Sequence, residues 1–401
     1  MSINKFSRKQ LVSLLAVAML PVAVPFSAAH AESAVTKALK EGTGSASLRY
    51  RYEVVDQENM TEDAEASTVR TRVGYKTGEV SGLTGYVEFE DVRVVGSERF
   101  NSTANGLTQY PAVVDVESTE LNQGFLTYKA GAETAVKAGR QRIIFDNARF
   151  VGNVGWRQNE QTFDALMISN KSLPDTEVKF AYLGNVNNIK ALNADVKGSL
   201  LNVSYSGLSA GKLTGYGYML DYENSTNDTQ TLGVRFSGAQ KAGDVKVLYT
   251  AEFATQSDYA DAPTTVDADY ALLEAGVMAA GVTAKLGYEV LGGDGVYGFS
   301  TPLATGHAFN GWADKFLGTP ASGLQDTYVS VMSKVAGVKL LGVYHTYSAD
   351  EGSADYGSEI NLLAAKKFSK HYSVGVKYAS YDADTVSVDT DKLWVWAQAS
   401  F

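Results

Sequence analysis

The sequence predicts an all-β protein: a transmembrane, antiparallel, up-and-down β-barrel of about 18 strands, with short periplasmic turns and long extracellular loops. Three observations carry this. Apolar and polar residues alternate with period two from residue 46 to the end of the chain. No stretch after the first thirty residues could be an apolar spanning helix, and connections between the alternating segments are short and long in turn. Composition agrees. The 401 residues include 23 Tyr and 16 Phe but only 7 Pro, which favours strands. The absence of Cys excludes disulfides, thiolate metal sites and a cysteine nucleophile. A mean hydropathy of −0.13 excludes a helical protein of several spans, but not a barrel whose strand faces average out.

The first element is an export leader. Lys5, Arg8 and Lys9 form a positive start, Leu11 to Val24 an apolar run broken by Pro21, and Ala29-His30-Ala31 the small residues of a cleavage site. We assign 1–31 to a signal peptide, 32–45 to a short periplasmic N-terminal segment and 46–401 to the barrel. Removing three basic residues makes the net charge of −10 more negative still, which argues against a nucleic-acid partner.

The strands follow. Leu48, Tyr50, Tyr52 and Val54 alternate with Arg49, Arg51 and Glu53, and Val69, Thr71, Val73 and Tyr75 with Arg70 and Arg72. Val245, Val247, Tyr249, Ala251 and Phe253 alternate with Lys246, Thr250 and Glu252. Neighbouring side chains on a strand point to opposite faces, so each segment has one apolar and one polar face. Segments of this kind lie near 46–56, 66–77, 81–95, 113–129, 133–145, 159–169, 175–185, 198–207, 211–223, 228–238, 243–256, 268–280, 281–291, 323–335, 337–348, 356–368, 371–381 and 391–401. Short connections such as Ala130-Gly131-Ala132 alternate with long ones at 57–65, 96–112, 146–158, 186–197, 257–267 and 292–322. The last strand, Leu393 to Phe401, ends in an aromatic residue and resembles the C-terminal signal that the outer-membrane insertion machinery reads. The expected location is therefore the outer membrane of a Gram-negative bacterium, among lipid and lipopolysaccharide.

Enzymatic motifs are lacking. Gly293-Asp294-Gly295-Val296-Tyr297-Gly298 matches a dinucleotide fingerprint in letters, but Phe-Ser-Thr-Pro follows it where a helix should open. No H-E-x-x-H or G-x-S-x-G occurs, the four His are scattered, and only His345 could serve a barrel lipase. No catalytic residue, resident metal or cofactor is expected. Acidic groups such as Glu58, Glu62, Asp63 and Glu65 could hold loop Ca²⁺, but without the spacing of a calcium loop.

The charges on the inner face carry the functional reading. With the apolar face toward lipid, Arg49, Arg51, Arg70, Arg72, Arg140 and Arg142 face the interior, beside Glu53, Glu88, Glu90 and Asp164. An eighteen-strand barrel is too wide for side chains to fill, so these groups should line water. The arginines outnumber their acidic neighbours in sequence, which favours anionic solutes. Arg149 and Arg157, in the third long loop, are expected at a constriction. The longest loop carries Phe309, Trp312 and Phe316, which are costly to leave in water, so it should fold across the mouth as a lid.

Several stretches are similar to the alginate-export family of outer-membrane porins. They are Leu48-Arg-Tyr-Arg-Tyr-Glu53, Arg70-Thr-Arg-Val-Gly-Tyr-Lys-Thr77, Gly139-Arg-Gln-Arg142 through Asp146-Asn-Ala-Arg149 to Trp156-Arg-Gln-Asn159 and Gln161-Thr-Phe-Asp164, and His307-Ala-Phe-Asn-Gly-Trp-Ala-Asp314 with Gly323-Leu-Gln-Asp326. The resemblance implies a monomeric barrel whose electropositive path, on Arg49, Arg51, Arg70, Arg72, Arg140, Arg142, Arg149 and Arg157, passes an anionic uronate polymer. The acidic residues dilute that field. The expected function is passive diffusion of anionic solutes, with dedicated alginate secretion as the alternative. A closed-barrel adhesin or receptor, or a lipase, is the reading from another class.

Overall fold

The computed structural model describes residues 28–401; the expected leader lies, up to residue 27, outside them. A helix, α1 (Ala28–Lys40), precedes eighteen strands. These are β1 (Thr43–Gln57), β2 (Ala64–Lys76), β3 (Leu83–Val94), β4 (Ser118–Lys129), β5 (Thr134–Gln141), β6 (Thr162–Asn170), β7 (Thr176–Asn187), β8 (Asn193–Leu208) and β9 (Gly211–Tyr222). They continue with β10 (Thr229–Ala242), β11 (Val245–Asp258), β12 (Asp267–Ala279), β13 (Val282–Leu291), β14 (Leu324–Val335), β15 (Val338–Ser348), β16 (Asp355–Lys367), β17 (Tyr372–Ala383) and β18 (Thr390–Ser400).

Each strand pairs antiparallel with the next, and β18 pairs with β1 from Ser47↔Ser400 to Gln57↔Thr390, so the sheet has no free edge. Closure satisfies every ladder group within the wall, which a spanning sheet requires. The terminal residue completes the seam: the Phe401 amide donates to the Ala46 carbonyl at 2.8 Å, and the Ala46 amide donates back at 3.1 Å.

Connections sort by rim. One rim holds 77–82, 130–133, 171–175, 209–210, 243–244, 280–281, 336–337 and 368–371. The other holds 58–63, 95–117, 142–161, 188–192, 223–228, 259–266, 292–323, 349–354 and 384–389. At Ala280-Gly281 and Ala336-Gly337 both residues have positive φ, as the tightest hairpins need to match strand twist. The long connection expected at 186–197 contracts to 188–192. Here β7 and β8 pair out to Asn187↔Asn193, and the Asn188 side chain accepts the Lys190 amide to close the turn. Conversely, β5 stops at Gln141, short of the expected 145, because the chain leaves the wall there and enters the barrel.

Burial confirms the two faces. Leu48 and Tyr50 are exposed on the lipid side, whereas Arg49 and Arg51 are buried inside. Val247 is on the lipid face of β11, opposite the exposed Val277. Leu273→Arg, exposed on the same face at the middle of β12, should therefore cost roughly 2–4 kcal/mol at the bilayer midplane. Lys246→Gln, on the other face, should leave folding intact. Heat-modifiable gel mobility of the two variants checks this; the opposite pattern would invert the faces.

Candidate functional site

The interior is not an empty tube. Segments 142–161 and 292–323 both fold inward and bury an apolar core against the wall, with Phe145, Phe150, Phe299, Leu303, Trp312 and Phe316 packed among Tyr216, Tyr270 and Tyr347. Phe150 lies 5.2 Å from Tyr216, 5.1 Å from Tyr270 and 6.0 Å from Phe299, between ring centroids. The two segments are joined to each other. Val151 bridges Leu303, the Gly152 amide donates to the Leu303 carbonyl at 2.8 Å, and the Thr305 amide donates to Ala148 at 3.0 Å. Their burial follows from the hydrophobic effect: six large apolar side chains would otherwise lie in water.

Polar residues fix the first segment to the wall. The run Arg157-Gln158-Asn159-Glu160-Gln161 is wholly buried. Gln158 accepts from Arg49 Nε at 2.9 Å, and its own amide donates to Asp115 at 3.1 Å. Arg157 donates to both oxygens of Glu53 on β1, at 3.0 and 3.2 Å, and to Asp314 of the other inward segment at 3.0 Å. Burial opposes the charge on Arg157, but Glu53, Asp314 and Asp115 outweigh it and raise its pKa. Glu160 accepts from Arg142 Nε at 2.6 Å and lies 3.2 Å from Arg72. Burial alone would raise the Glu160 pKa, yet Arg72 and Arg142 hold it down at about 2.

The second segment is latched to β16, β17 and β18. The Trp312 and Ala313 amides donate to Glu359 at 2.5 and 2.8 Å. Lys377 Nζ donates to His307 Nε2 at 2.6 Å, which leaves the His307 proton on Nδ1 to reach Asp314 at 2.6 Å. Lys392 reaches Asp314 at 3.3 Å. Around Lys377 stand three tryptophans: its Nζ is 3.6 Å from the Trp312 ring centroid, 4.3 Å from Trp156 and 5.5 Å from Trp394. Trp156 also stacks on His307 at 4.7 Å and meets Trp396 edge-on at 5.6 Å. All 4 tryptophans thus converge from distant positions. Burial lowers the His307 pKa to about 3, with Lys377 adding to the effect against Asp314. Burial would raise Asp314, but His307, Lys392 and Arg157 hold it well below the carboxylate range.

The structure narrows the expected arginine path. Arg49 and Arg51 are not at a water surface; the carbonyls of Gly155, Trp156 and Arg157 and the side chains of Gln158 and Asp115 cover them. Arg149 is buried too, donating to Glu289 at 2.8 Å and Asn310 at 2.9 Å, with its guanidinium over Phe309. Arg149 and Arg157 therefore fasten the two inward segments to each other and to the wall. The expected surplus of arginine over acid also shrinks. Asp115 and Glu160, remote in sequence from the strand arginines, supply Arg51, Arg72 and Arg142 with carboxylates, while Glu88 and Glu90 add to Arg142 and Arg72 and Asp164 chelates Arg140 at 2.8 and 2.9 Å. One group keeps no partner. Arg70 is 3% exposed, sits directly opposite Arg49 in the β1–β2 register, and among the described residues no acceptor bonds its guanidinium. Arg72, Arg142, Arg235 and Lys285 remain partly open, their side chains 12–35% exposed.

The family described as alginate export matches residues 43–291. This chain belongs to that family. It is an outer-membrane β-barrel of the channel-forming kind. No curated protein matches it significantly in sequence. Among solved structures, OccAB2 of Acinetobacter baumannii superposes with a TM-score of 0.73 at 14% identity, over 91% of this chain and 99% of that one. OccK9 (OpdG) of Pseudomonas aeruginosa gives 0.71 at 13%, over 91% and 99%. OpdK of the same organism, solved with vanillate, gives 0.70 at 13%, over 90% and 99%. At these identities the likeness is one of fold.

The structure also locates His345, the acidic groups and the long loop. His345, the residue a barrel lipase would use, turns Nδ1 to Asp326 at 2.9 Å, and its ring packs between Tyr328 and Tyr347. Among the described residues no group of three or more His, Asp and Glu converges as a metal site would. The lid expected of the long loop rests on its length and on Phe309, Trp312 and Phe316; the loop folds inward, with Trp312 and Phe316 buried and Phe309 beneath Arg149.

Proposed function

We propose that this barrel is a passive channel for anionic solutes, small carboxylates or short uronate oligomers, whose path runs along the partly open Arg72 and Arg142, with Arg70 beneath them adding positive charge to the field. One observation carries the reading: Arg70 is a buried cation facing a second arginine without an acceptor of its own. An unpaired buried charge is costly, and an anion passing above it lowers that cost. A guanidinium also matches a carboxylate in two parallel hydrogen bonds. Arg72 and Arg142, partly open to the lumen, extend the positive path. The vanillate of OpdK and the alginate of the family's description share the carboxylate and little else. Two inward segments that fill much of the bore favour small solutes over a dedicated polymer exporter.

Reversal potentials in a KCl gradient across a planar bilayer test this. The protein should show ohmic steps and prefer Cl⁻ at low salt. The preference should fade toward 1 M, where the Debye length is about 3 Å. Arg70→Gln should move selectivity toward cations more than Arg142→Gln, whose charge Glu88 and Glu160 already offset. An unchanged potential in Arg70→Gln would refute the assignment, and a barrel with no steps at all would favour a closed receptor.

A further inference from the structure

α1 is the one element that the channel reading leaves unused. It precedes β1 at the short-turn rim, and its place there is tightly set. The Gly78 amide donates to the Ala38 carbonyl at 2.9 Å, and a Cβ on Gly78 would lie 3.2 Å from Ala38 Cα, so helix and turn touch through backbone. Tyr75, which alternates with the inward Arg70 and Arg72 and so faces lipid, donates its hydroxyl to the Leu39 carbonyl. The helix therefore lies on the lipid side of the rim, not under the bore.

Its faces are unequal. Ala38 is buried against the turn, whereas Val35 and Leu39, one helical turn apart, are 52% and 54% exposed. Lys37 and Lys40 lie on the other flank of the same turn. The surrounding rim is aromatic: Tyr128, Tyr205, Phe368, Tyr372 and Phe401 are exposed at strand ends on this side. Such a girdle marks the level of the lipid headgroups.

We infer that α1, of which residues 32–40 remain once the expected leader is removed, is an interfacial anchor, lying in the headgroup region of the periplasmic leaflet with Val35 and Leu39 toward the acyl chains. Two facts select lipid as the occupant. The apolar face is continuous with the aromatic girdle through Tyr75, and Lys37 and Lys40 supply the cations that headgroup phosphates attract, as in other interfacial helices. The anchor would brace the β1–β2 end of the rim, beside the seam where β18 closes on β1.

The protein contains no Cys, so single labels can be placed at will. Val35→Cys, Leu39→Cys and Lys37→Cys, each labelled with an environment-sensitive fluorophore, are reconstituted in phosphatidylethanolamine–phosphatidylglycerol vesicles. Doxyl-lipid should quench labels at 35 and 39 more strongly than aqueous iodide does, and the order should reverse at 37. Iodide-dominated quenching at all three positions would overturn the anchor. So would blue-shifted emission at 35 and 39 that doxyl-lipid fails to quench, since the face would then be covered by protein.

Discussion

Asp314→Asn should turn a steadily conducting channel into a flickering one of higher peak conductance. Asp314 is the hub of the latch: it accepts from Arg157 of the first inward segment, from Lys392 on β18 and from His307 of its own loop. An amide cannot neutralise these groups, and Lys392 has no other carboxylate within bonding reach among the described residues. Removing one partner of a buried ion pair costs about 3–5 kcal/mol. At a factor of ten per roughly 1.4 kcal/mol, the released segment should become about a hundred- to several-thousand-fold more populated. The wall does not depend on the latch, so heat-modifiable mobility should stay normal. Single-channel recording reads the outcome, and unaltered open-state noise would show that the segment is held by its apolar core alone.

Acid should act at the same point. His307 titrates near 3 when docked, because burial and Lys377 disfavour its charge, but near 6.5 when released into water. Its pKa is lowered in the docked state, so the released state binds the extra proton. Docking strength is thus full above about pH 6.5 and falls as pH drops toward 3, by roughly 3 kcal/mol at pH 4. Protonation also removes the Nε2 lone pair that accepts from Lys377. Asp314 contributes only lower, beneath the ordinary carboxylate range, since its docked pKa is depressed. Flicker should therefore increase between pH 6.5 and 4, and His307→Gln, which can still accept from Lys377, should abolish that dependence.

The wall was legible in the sequence because its information is local. Alternation places Leu48, Arg49, Tyr50 and Arg51 on opposite faces whatever the rest of the chain does, and closure follows from counting such segments. Inward folding of the long loop was legible too, from Phe309, Trp312 and Phe316. The partners were not. Asp115 lies 64 residues from Arg51, and Arg149 reaches Glu289 over 140 residues, separations that no local pattern encodes. Counting acids beside Arg49 and Arg70 therefore overstated the positive surplus, since Glu160 and Asp115 arrive from the 142–161 and 95–117 connections. One local signal was available: five consecutive polar residues from Arg157 to Gln161 follow an aromatic loop and precede a wall strand. Such a run can be buried only if each member finds a partner, which identifies it as a fastener. The convergence of Trp156, Trp312 and Trp394 on Lys377 had no such signal.

Deleting residues 299–318 should give the largest change in conductance of any single alteration. The excision removes Phe299, Leu303, Trp312 and Phe316 from the interior and breaks the Val151–Leu303 bridge that props the first inward segment. The cut ends are already close: a Cβ on Gly298 would lie 2.2 Å from the Pro320 carbonyl, so the chain can be rejoined without stretching. Strand pairing is untouched, because β13 and β14 remain in register from Val282↔Ser333 to Leu291↔Leu324. Glu289, Glu359, Lys377 and Lys392 would then meet water, which hydrates them in an interior of this width, so the barrel should still fold. Conductance should rise severalfold. Anion preference should fall, because solutes could pass on the β16–β18 side without approaching Arg70, Arg72 or Arg142. Conductance equal to that of the intact protein would mean that ions already bypass the segment, and the lid would have to be abandoned even though the loop is folded inward.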